Sequence, residues 1–227
     1  MSLPIFLFIT GTDTGVGKTV TTAAIAAVLL SAGRRVCVYK PCQSGAVQGD
    51  SDCAEIRRLV GDIEAGDGVV LAEPLAPIVA ARLEGARLPT VAEHAERIRR
   101  SAPDVDHVLI EGSGGLLVEL DADGGTLADL AALLGTQAGC VVVSRPSLGT
   151  LNHTELTVEA LEHRGLASLG VVLGTWPLTP GLAEVHNRQS FESGSIPLLG
   201  VIPEDASSLS PDVFRARAGL WLAGIHA

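Results

Sequence analysis

The chain has 227 residues, of which 47% are hydrophobic and 19% charged, so it can bury a sizeable core and is not a disordered tail. Lysine and arginine number 16 against 26 aspartate and glutamate residues, which gives a formal net charge of -10 at pH 7. Because the balance is acidic and aromatic residues make up only 3% of the chain, neither a nucleic-acid surface nor a base-stacking platform is expected.

Short apolar runs alternate along the chain with longer segments of helical character. The runs that predict strands are residues 5–10, 36–41, 107–111, 140–144, 170–173 and 198–202. The segments that predict helices are residues 18–31, 89–100, 126–134, 148–163 and 211–222, and residues 52–60 also look helical. Residues 61–88, rich in glycine, alanine and proline, are left unassigned.

The strand-like runs are continuously apolar rather than alternating, which is typical of parallel strands covered on both faces. Strand–helix alternation then predicts an α/β fold with a doubly wound sheet and helices on both faces. With no internal repeat and no low-complexity linker, residues 1–227 are predicted to form a single domain.

The cysteines and the N-terminus bear on the compartment. Cys37, Cys42, Cys53 and Cys140 form no Cys-x-x-Cys pair and are predicted to be reduced structural thiols. The apolar start MSLPIFLFIT lacks a basic region and a small-residue cleavage site, and it is interpreted as a first strand rather than a signal peptide. Every fully apolar run is far shorter than the roughly 20 residues of a membrane span. We therefore expect a cytoplasmic protein with no membrane partner.

Unusual sequence motifs follow the predicted strands. They are GTDTGVGKT (11–19), KPCQSG (40–45), EGSGG (111–115), SRPSLGTLNH (144–153), GTW (174–176) and PED (203–205). In doubly wound sheets, ligands bind beyond the carboxyl ends of the strands. The motifs therefore predict one functional edge of the sheet.

Residues 11–19 have the context of a phosphate-binding loop, because they follow a predicted strand and open a predicted helix. The glycines let backbone N–H groups approach phosphates, Lys18 can reach the β- and γ-phosphates, and the Thr19 hydroxyl can hold Mg²⁺. The usual pattern has glycine where this chain has Thr12, with Gly11 one residue earlier. The alternative is a glycine-rich turn without a ligand, which the combination of strand, GKT and helix disfavours.

Three charged positions complete the predicted site. Glu111 closes a predicted strand and is a candidate Mg²⁺ ligand, the alternative being a solvated strand end. Asp50 and Asp52 open the helical segment 52–60, and each could equally cap that helix. Lys40 ends a predicted strand and could bring positive charge to a transferred phosphoryl group, the alternative being a surface lysine.

In combination, GTDTGVGKT, YKPCQSG, EGSGG and LGTLNH resemble the dethiobiotin synthetase family of biotin biosynthesis, from about residue 5 to residue 205. The resemblance implies a P-loop NTPase-like, mainly parallel seven-stranded sheet and a homodimer with composite active sites. It implies that CO₂ is joined to 7,8-diaminononanoate with ATP and Mg²⁺. A carbamate and a carbamic–phosphoric anhydride would be the intermediates, and ring closure would give dethiobiotin.

The resemblance also assigns roles to residues. It implies that Lys40 is catalytic and that Thr19, Asp52 and Glu111 bind Mg²⁺, which favours the metal interpretation of Asp52. Nucleotide contacts are implied for Thr14, Gly15, Val16, Gly17, Lys18, Thr19, Asp52, Glu111, Gly112, Ser113, Gly114, Gly174, Thr175, Pro203, Glu204 and Asp205. Substrate contacts are implied for Ser44 and for Gly149, Thr150, Leu151 and Asn152, whose N–H groups would bind the substrate carboxylate across the dimer interface.

The chain departs from the family pattern in two places. Gly15 stands where many members have glutamate, and Gly174 and Thr175 stand where many have an Asn-Asp pair. Both departures remove side chains near the nucleotide and leave the backbone available. We therefore expect normal phosphate chemistry but loose base selectivity, so that other nucleoside triphosphates could replace ATP.

Two other classes of protein on this fold are weaker candidates. A switch ATPase of the partitioning type usually has a second lysine five residues before the GKT lysine, where this chain has Asp13. It also often ends in a basic amphipathic helix, whereas the C-terminal segment here has only Arg215 and Arg217. An amidotransferase-type synthetase would need a glutaminase cysteine constellation, which the sequence does not contain.

Overall fold

The computed structural model describes residues 3–49 and 51–225. Within them, the strands are β1 (Phe6–Gly11), β2 (Val36–Gln43), β3 (Glu64–Val70), β4 (His107–Gly115), β5 (Ala138–Ser144), β6 (Ser168–Trp176) and β7 (Leu198–Pro203). The α-helices are α1 (Lys18–Ser31), α2 (Asp52–Val60), α3 (Pro77–Glu84), α4 (Val91–Ser101), α5 (Leu127–Leu134), α6 (Thr150–Glu162), α7 (Leu182–Ser193) and α8 (Pro211–Trp221).

The strands form a seven-stranded sheet in the order β3-β2-β4-β1-β5-β6-β7. Every neighbouring pair in this order is parallel. The chain moves outward from β1 to β2 and β3, returns to β4, and then continues on the other side of β1 with β5 to β7. The predicted doubly wound α/β fold is confirmed, and the carboxyl ends of β1, β2 and β4 meet where the winding changes direction.

Two hydrophobic cores lie on opposite faces of the sheet. Along β1 the side chains alternate, so that Phe6 and Phe8 enter one core while Leu7 and Ile9 enter the other. Buried residues of α1, α2 and α8 complete the core around Leu7, and those of α3 to α7 complete the core around Phe6. In the described residues, no helix has both the length and the hydropathy needed to cross a bilayer.

The prediction placed α1 and α2 at their observed bounds but missed β3, α3 and α7. Strand β3 is the sheet edge, and its sequence EAGDGVV has two glycines and two acidic residues. Helix α3 has only eight residues and begins at Pro77, a position where proline is favoured. Helix α7 buries only Asn187 and Phe191, so it lacks the apolar stripe that marks a helix in a sequence.

The position of Glu111 also differs from the prediction. It was expected to close its strand, but β4 continues through the glycines to Gly115, and Glu111 pairs with Ile9 in the interior of the sheet. Glycine has low strand propensity, which is why EGSGG was interpreted as a loop. The interior position explains why Glu111 is buried and not a solvated strand end.

Candidate active site

The phosphate loop, residues 11–19, joins β1 to α1 and packs directly on the end of β6. Gly17 caps α1 with φ 94°, a left-handed conformation that favours glycine. A Cβ at Gly17 would lie 2.5 Å from the Gly174 carbonyl oxygen, and a Cβ at Gly174 would overlap the Val16 carbonyl oxygen. The backbone of the loop therefore touches the backbone of β6, and a side chain at either glycine would push the loop away.

Lys18 begins α1 and lies folded back over the loop. Its Nζ donates to the Asp13 carbonyl oxygen at 3.0 Å, and the residue is only 8% exposed. Burial, reinforced by the nearby charge of Lys40, lowers the pKa of Lys18 to about 8. A cation so poorly solvated gains much from a phosphate ligand.

A buried charged cluster stands beside the loop, where β2, β4 and the start of α2 meet. The Lys40 Nζ donates to Glu111 Oε1 at 3.0 Å and forms an ion pair with Asp52. Thr19, on the first turn of α1, donates its hydroxyl to the same Glu111 Oε1 at 2.9 Å. Lys40 is 4% exposed and Glu111 is 1% exposed, so the alternatives of a surface lysine and a solvated glutamate are wrong.

Electrostatics keep Lys40 and Asp52 ionised. Burial alone would lower the pKa of Lys40, but the Glu111 and Asp52 carboxylates outweigh it and raise that pKa above its usual value. Burial alone would raise the pKa of Asp52, but the Lys40 ammonium outweighs it and leaves that pKa lowered. One buried cation thus stabilises two carboxylates that would otherwise repel each other.

Asp52 is not the cap of α2. Ser51 is, because its side chain accepts from the Ala54 N–H at 3.1 Å. Asp52 is the first residue of the helix and points its carboxylate at Lys40, while its own N–H donates to Gln43 Oε1 at 3.0 Å. Asp50, the other candidate cap, lies outside the described residues.

The cluster fits a magnesium ion held together with nucleotide phosphates. Mg²⁺ usually takes one or two carboxylates and completes its shell with phosphates and water. Glu111 Oε2 is buried and has no hydrogen-bond partner, so it is a free anionic ligand position. Asp52 and the Thr19 hydroxyl are the neighbouring oxygens. Among the residues described, no group of three or more His, Cys, Asp or Glu side chains could hold a metal ion by itself.

These residues open into a cleft of about 1010 Å³. The sequence-predicted residues that line it are Thr14, Gly15, Gly17, Lys18, Thr19, Lys40, Ser44, Asp52, Glu111, Ser113 and Gly114. The cleft therefore brings together the phosphate loop, the charged cluster and the serine that was assigned to the substrate.

Other predicted residues lie away from the cleft. The side chain of Val16, a residue of the phosphate loop, is buried in the core around Leu7, and a Cβ at Gly112 would meet the Leu127 side chain. Residues 203–205 lie beside the end of β6, where the Glu204 N–H donates to the Trp176 carbonyl oxygen at 2.8 Å. Residues 149–152, 174–175 and 203–205 are absent from the cleft lining. Within one chain, the segments assigned to the base and to the substrate carboxylate do not meet the charged cluster.

Several cleft residues were not predicted. They are Val20, Gln43, Gly45, Gly49, Ser51, Ala54, Glu55, Arg58, Pro74, Leu75, Ala76, Pro77 and Val118. Gln43 is 4% exposed in the structure. Its place inside the KPCQSG motif, one residue before Ser44, was the sequence signal that could have identified it as a cleft residue. Residues 74–77 fall in the unassigned region, where the start of α3 gave no apolar pattern to follow.

The start of α6 has the features of an anion site. Gly149 precedes the helix with φ 93°, no side chain caps it, and the Thr150 hydroxyl is buried without a hydrogen-bond partner. Leu151 and Asn152 of the first turn are exposed. The Thr150 N–H donates to the Ser147 carbonyl oxygen, which leaves the N–H groups of Leu151 and Asn152 available to a ligand that lies outside the chain's own cleft.

Comparisons with solved structures agree on the fold. The septum site-determining protein MinD from Pyrococcus horikoshii, complexed with Mg-ADP, aligns with a TM-score of 0.57 at 22% identity, over 99% of this chain and 87% of that one. Cobyrinic acid a,c-diamide synthase from Mycobacterium smegmatis, with bound ADP and magnesium, aligns with a TM-score of 0.56 at 16% identity, over 94% and 92% of the two chains. Identities this low show the architecture of a P-loop NTPase and no more.

Sequence comparisons are more specific. The AAA domain family matches residues 6–211. A protein of Mycolicibacterium vanbaalenii named ATP-dependent dethiobiotin synthetase BioD is 48% identical, over 97% of this chain and 99% of its own length. A Streptomyces coelicolor protein of the same name is 47% identical, over 96% and 91% of the two chains. Because it has the phosphate loop and the charged cluster and is 47–48% identical to these relatives over nearly its full length, this chain belongs to the ATP-dependent dethiobiotin synthetase family.

Proposed function

We propose that the chain is one catalytic domain, residues 1–227, which joins CO₂ to 7,8-diaminononanoate and closes the ureido ring of dethiobiotin at the expense of ATP. The observation that carries the proposal is Lys40, a buried cation held between Asp52 and Glu111 beside the phosphate loop. A switch ATPase of the partitioning type would have its second lysine in the phosphate loop, where this chain has Asp13, whereas Lys40 lies on β2 and lines the cleft.

The proposed reaction has three steps. One amine of the substrate adds to CO₂ and loses a proton, which gives a carbamate. A carbamate oxygen attacks the γ-phosphorus and the bond to the β-phosphate oxygen breaks. The products of this step are ADP and a carbamic–phosphoric anhydride. The second amine then attacks the carbonyl carbon and loses a proton, the bond from carbon to the phosphate oxygen breaks, and phosphate leaves as the ring closes.

The chain contributes charge and position to this reaction. Lys18 and the N–H groups of the phosphate loop hold the β- and γ-phosphates, and Lys40 neutralises the charge that builds up between the carbamate and the γ-phosphoryl group. Thr19, Asp52 and Glu111 would hold Mg²⁺, which supplies further charge neutralisation on the phosphates. Ser44, at the mouth of the cleft, would contact the substrate.

The remaining contacts of the proposal fall outside the charged cluster. Residues 174–175 and 203–205 would lie near the base, and Gly174 offers it no side chain because a Cβ there would overlap the phosphate loop. Nucleoside triphosphates other than ATP are therefore proposed as alternative substrates. Residues 149–152 would bind the carboxylate of a substrate molecule that lies in the cleft of a partner subunit, since they lie away from their own cleft.

The cysteines described are all buried and unpaired, which supports a reducing, cytoplasmic location.

The test is to look for dethiobiotin after incubation with 7,8-diaminononanoate, bicarbonate, ATP and Mg²⁺, and to measure phosphate release with the diamine or bicarbonate omitted. We expect the product, and phosphate release that requires both. Arg100→Met, which removes an exposed cation on α4, is the control for Lys40 variants and should keep full activity. Phosphate release that is indifferent to the diamine would overturn the proposal in favour of a switch ATPase.

A further inference from the structure

The loop between β5 and α6, residues 145–149, is held by a buried amide from another helix. The Nδ2 of Asn187 donates to the Pro146 carbonyl oxygen at 2.9 Å and to the Ser147 carbonyl oxygen at 3.2 Å. Asn187 belongs to α7 and is only 7% exposed. Both protons of its amide nitrogen are therefore used on two consecutive carbonyls of one short loop.

These contacts set where α6 begins. The Ser147 carbonyl oxygen also accepts from the Thr150 N–H at 3.2 Å, the first turn before the helix proper. Gly149 lies between them in a left-handed conformation, a residue with a wide choice of backbone angles. Without a fixed point ahead of this glycine, the first N–H groups of α6 would have several orientations of similar energy. Asn187 supplies that fixed point.

A side chain at the start of α6 also indicates a ligand there, in addition to the free backbone N–H groups. The Thr150 side chain is fully buried, and its hydroxyl has no hydrogen-bond partner. One turn further on, the Thr154 hydroxyl is satisfied by Ser144 at 2.7 Å. A buried hydroxyl left unsatisfied is destabilising, and an anion at the helix start would relieve that cost.

We propose that Asn187 is a positioning residue for the substrate carboxylate, acting through the loop 145–149 and not by contact with the substrate. The inference rests on the proposed function, in which the α6 start binds that carboxylate. It predicts a selective effect: loss of Asn187 impairs recognition of the carboxylate more than nucleotide binding. Asn187 does not touch the phosphate loop, and the ion pair of Arg145 with Asp13, which joins the loop 145–149 to it, does not involve the Pro146 and Ser147 carbonyl groups that Asn187 holds.

The experiment compares 7,8-diaminononanoate with its C1 carboxamide, which keeps both amines and removes the negative charge. In the unaltered enzyme, we expect the acid to have the higher kcat/KM. In Asn187→Ala, the KM for the acid should rise about tenfold. The kcat/KM for the carboxamide and the Kd for Mg-ATP should stay within about twofold, so the preference for the acid falls about tenfold.

Two further variants separate positioning from general loss of stability. Phe191→Leu alters the other buried residue of α7 and should lower the melting temperature without changing the acid-to-carboxamide preference. Asn187→Ser keeps one donor in a smaller side chain and should fold with an intermediate preference, so it replaces Asn187→Ala if that variant does not fold. An unchanged preference in a folded Asn187 variant would overturn the role of Asn187 alone. Equal use of acid and carboxamide by the unaltered enzyme would overturn the carboxylate assignment of the proposed function as well.

Discussion

The two sides of the functional edge are built on different principles. On the side of β2 and β4, the site consists of charged side chains: Lys40 and Glu111 are buried, and the half-buried Asp52 pairs with Lys40. On the side of β5 to β7, the proposed contacts rest on the uncapped start of α6 and on Gly174, which excludes a side chain by its contact with the phosphate loop. A site built from charged side chains can be recognised from the residue types in the sequence. A site built from backbone groups can be recognised only from the three-dimensional structure.

The largest effect is expected where charge is concentrated. Lys40→Ala should reduce turnover a hundredfold or more, on the order of 3 kcal/mol of barrier, because the transferred phosphoryl group loses its cation. Mg-nucleotide binding should survive, since the phosphate loop is unchanged. The measurements are kcat and the Kd for Mg-ATP. Near-normal turnover with an unchanged melting temperature would contradict the role of Lys40.

The contact between the backbone of β6 and the phosphate loop can be tested by adding one methyl group at Gly174. Gly174→Ala should displace the phosphate loop and weaken nucleotide binding tenfold or more, since overpacking costs about 1–3 kcal/mol. Gly66→Ala in β3 is the control, because a Cβ there meets nothing within 4 Å. Nucleotide Kd by calorimetry distinguishes the two variants. An unchanged Kd in Gly174→Ala would show that the loop does not depend on this contact.

Asp52 and Ser51 separate metal binding from helix capping at adjacent positions. Asp52→Asn should raise the Mg²⁺ concentration for half-maximal activity about tenfold, since a neutral amide replaces an anionic ligand. Ser51→Ala removes the cap of α2 and should cost about 1 kcal/mol of stability without changing the Mg²⁺ requirement. If Asp52→Asn altered only the melting temperature, its metal role would be wrong.

The buried lysine of the phosphate loop makes binding depend on pH. The pKa of Lys18 in the free protein is about 8, below the 10.5 of an ordinary lysine, and bound phosphates would raise it again. Protonated Lys18 favours the phosphates, so affinity should be constant below pH 8 and fall above it. We expect the Kd for Mg-ATP to be about tenfold weaker at pH 9 than at pH 7, with net proton uptake on binding. A Kd that stays constant to pH 9 would contradict the lowered pKa.

The smallest difference is expected between bases. Most of the binding should come from phosphates, metal and backbone, which all nucleoside triphosphates share, while Thr175 offers only a rotatable hydroxyl. At least one pyrimidine nucleotide should therefore compete with ATP within about tenfold, equivalent to roughly 1.4 kcal/mol. Values of kcat/KM and Kd for ATP, GTP, CTP and UTP test this. A preference for ATP above about a thousandfold would assign base recognition to another segment, such as residues 203–205.

The difference between the two sides also decides how far sequence analysis reaches. The candidacy of Lys40 and Glu111 follows from their positions at the ends of continuously apolar runs, and the phosphate loop follows from GKT at a strand–helix junction. The burial of Glu111 did not follow, because β4 continues through glycines to Gly115. The contact of Gly17 with Gly174 joins residues 157 positions apart and depends on the close approach of two backbones, which residue types do not encode. Asn187 was missed for the same reason, because its partners are carbonyl groups. The single-domain and dimer predictions stay predictions.

Lys18 and Lys40 are the only two lysines in the sequence, and both lie in the cleft. All other permanently cationic side chains are arginines, so reagents that acylate primary amines find no exposed lysine on this molecule. Lys18, with a pKa of about 8, is the side chain that such a reagent should modify first in the free protein. Acylation of Lys18, measured separately from that of the α-amino group, would therefore report nucleotide occupancy. Immobilising the protein through lysine would block the nucleotide site.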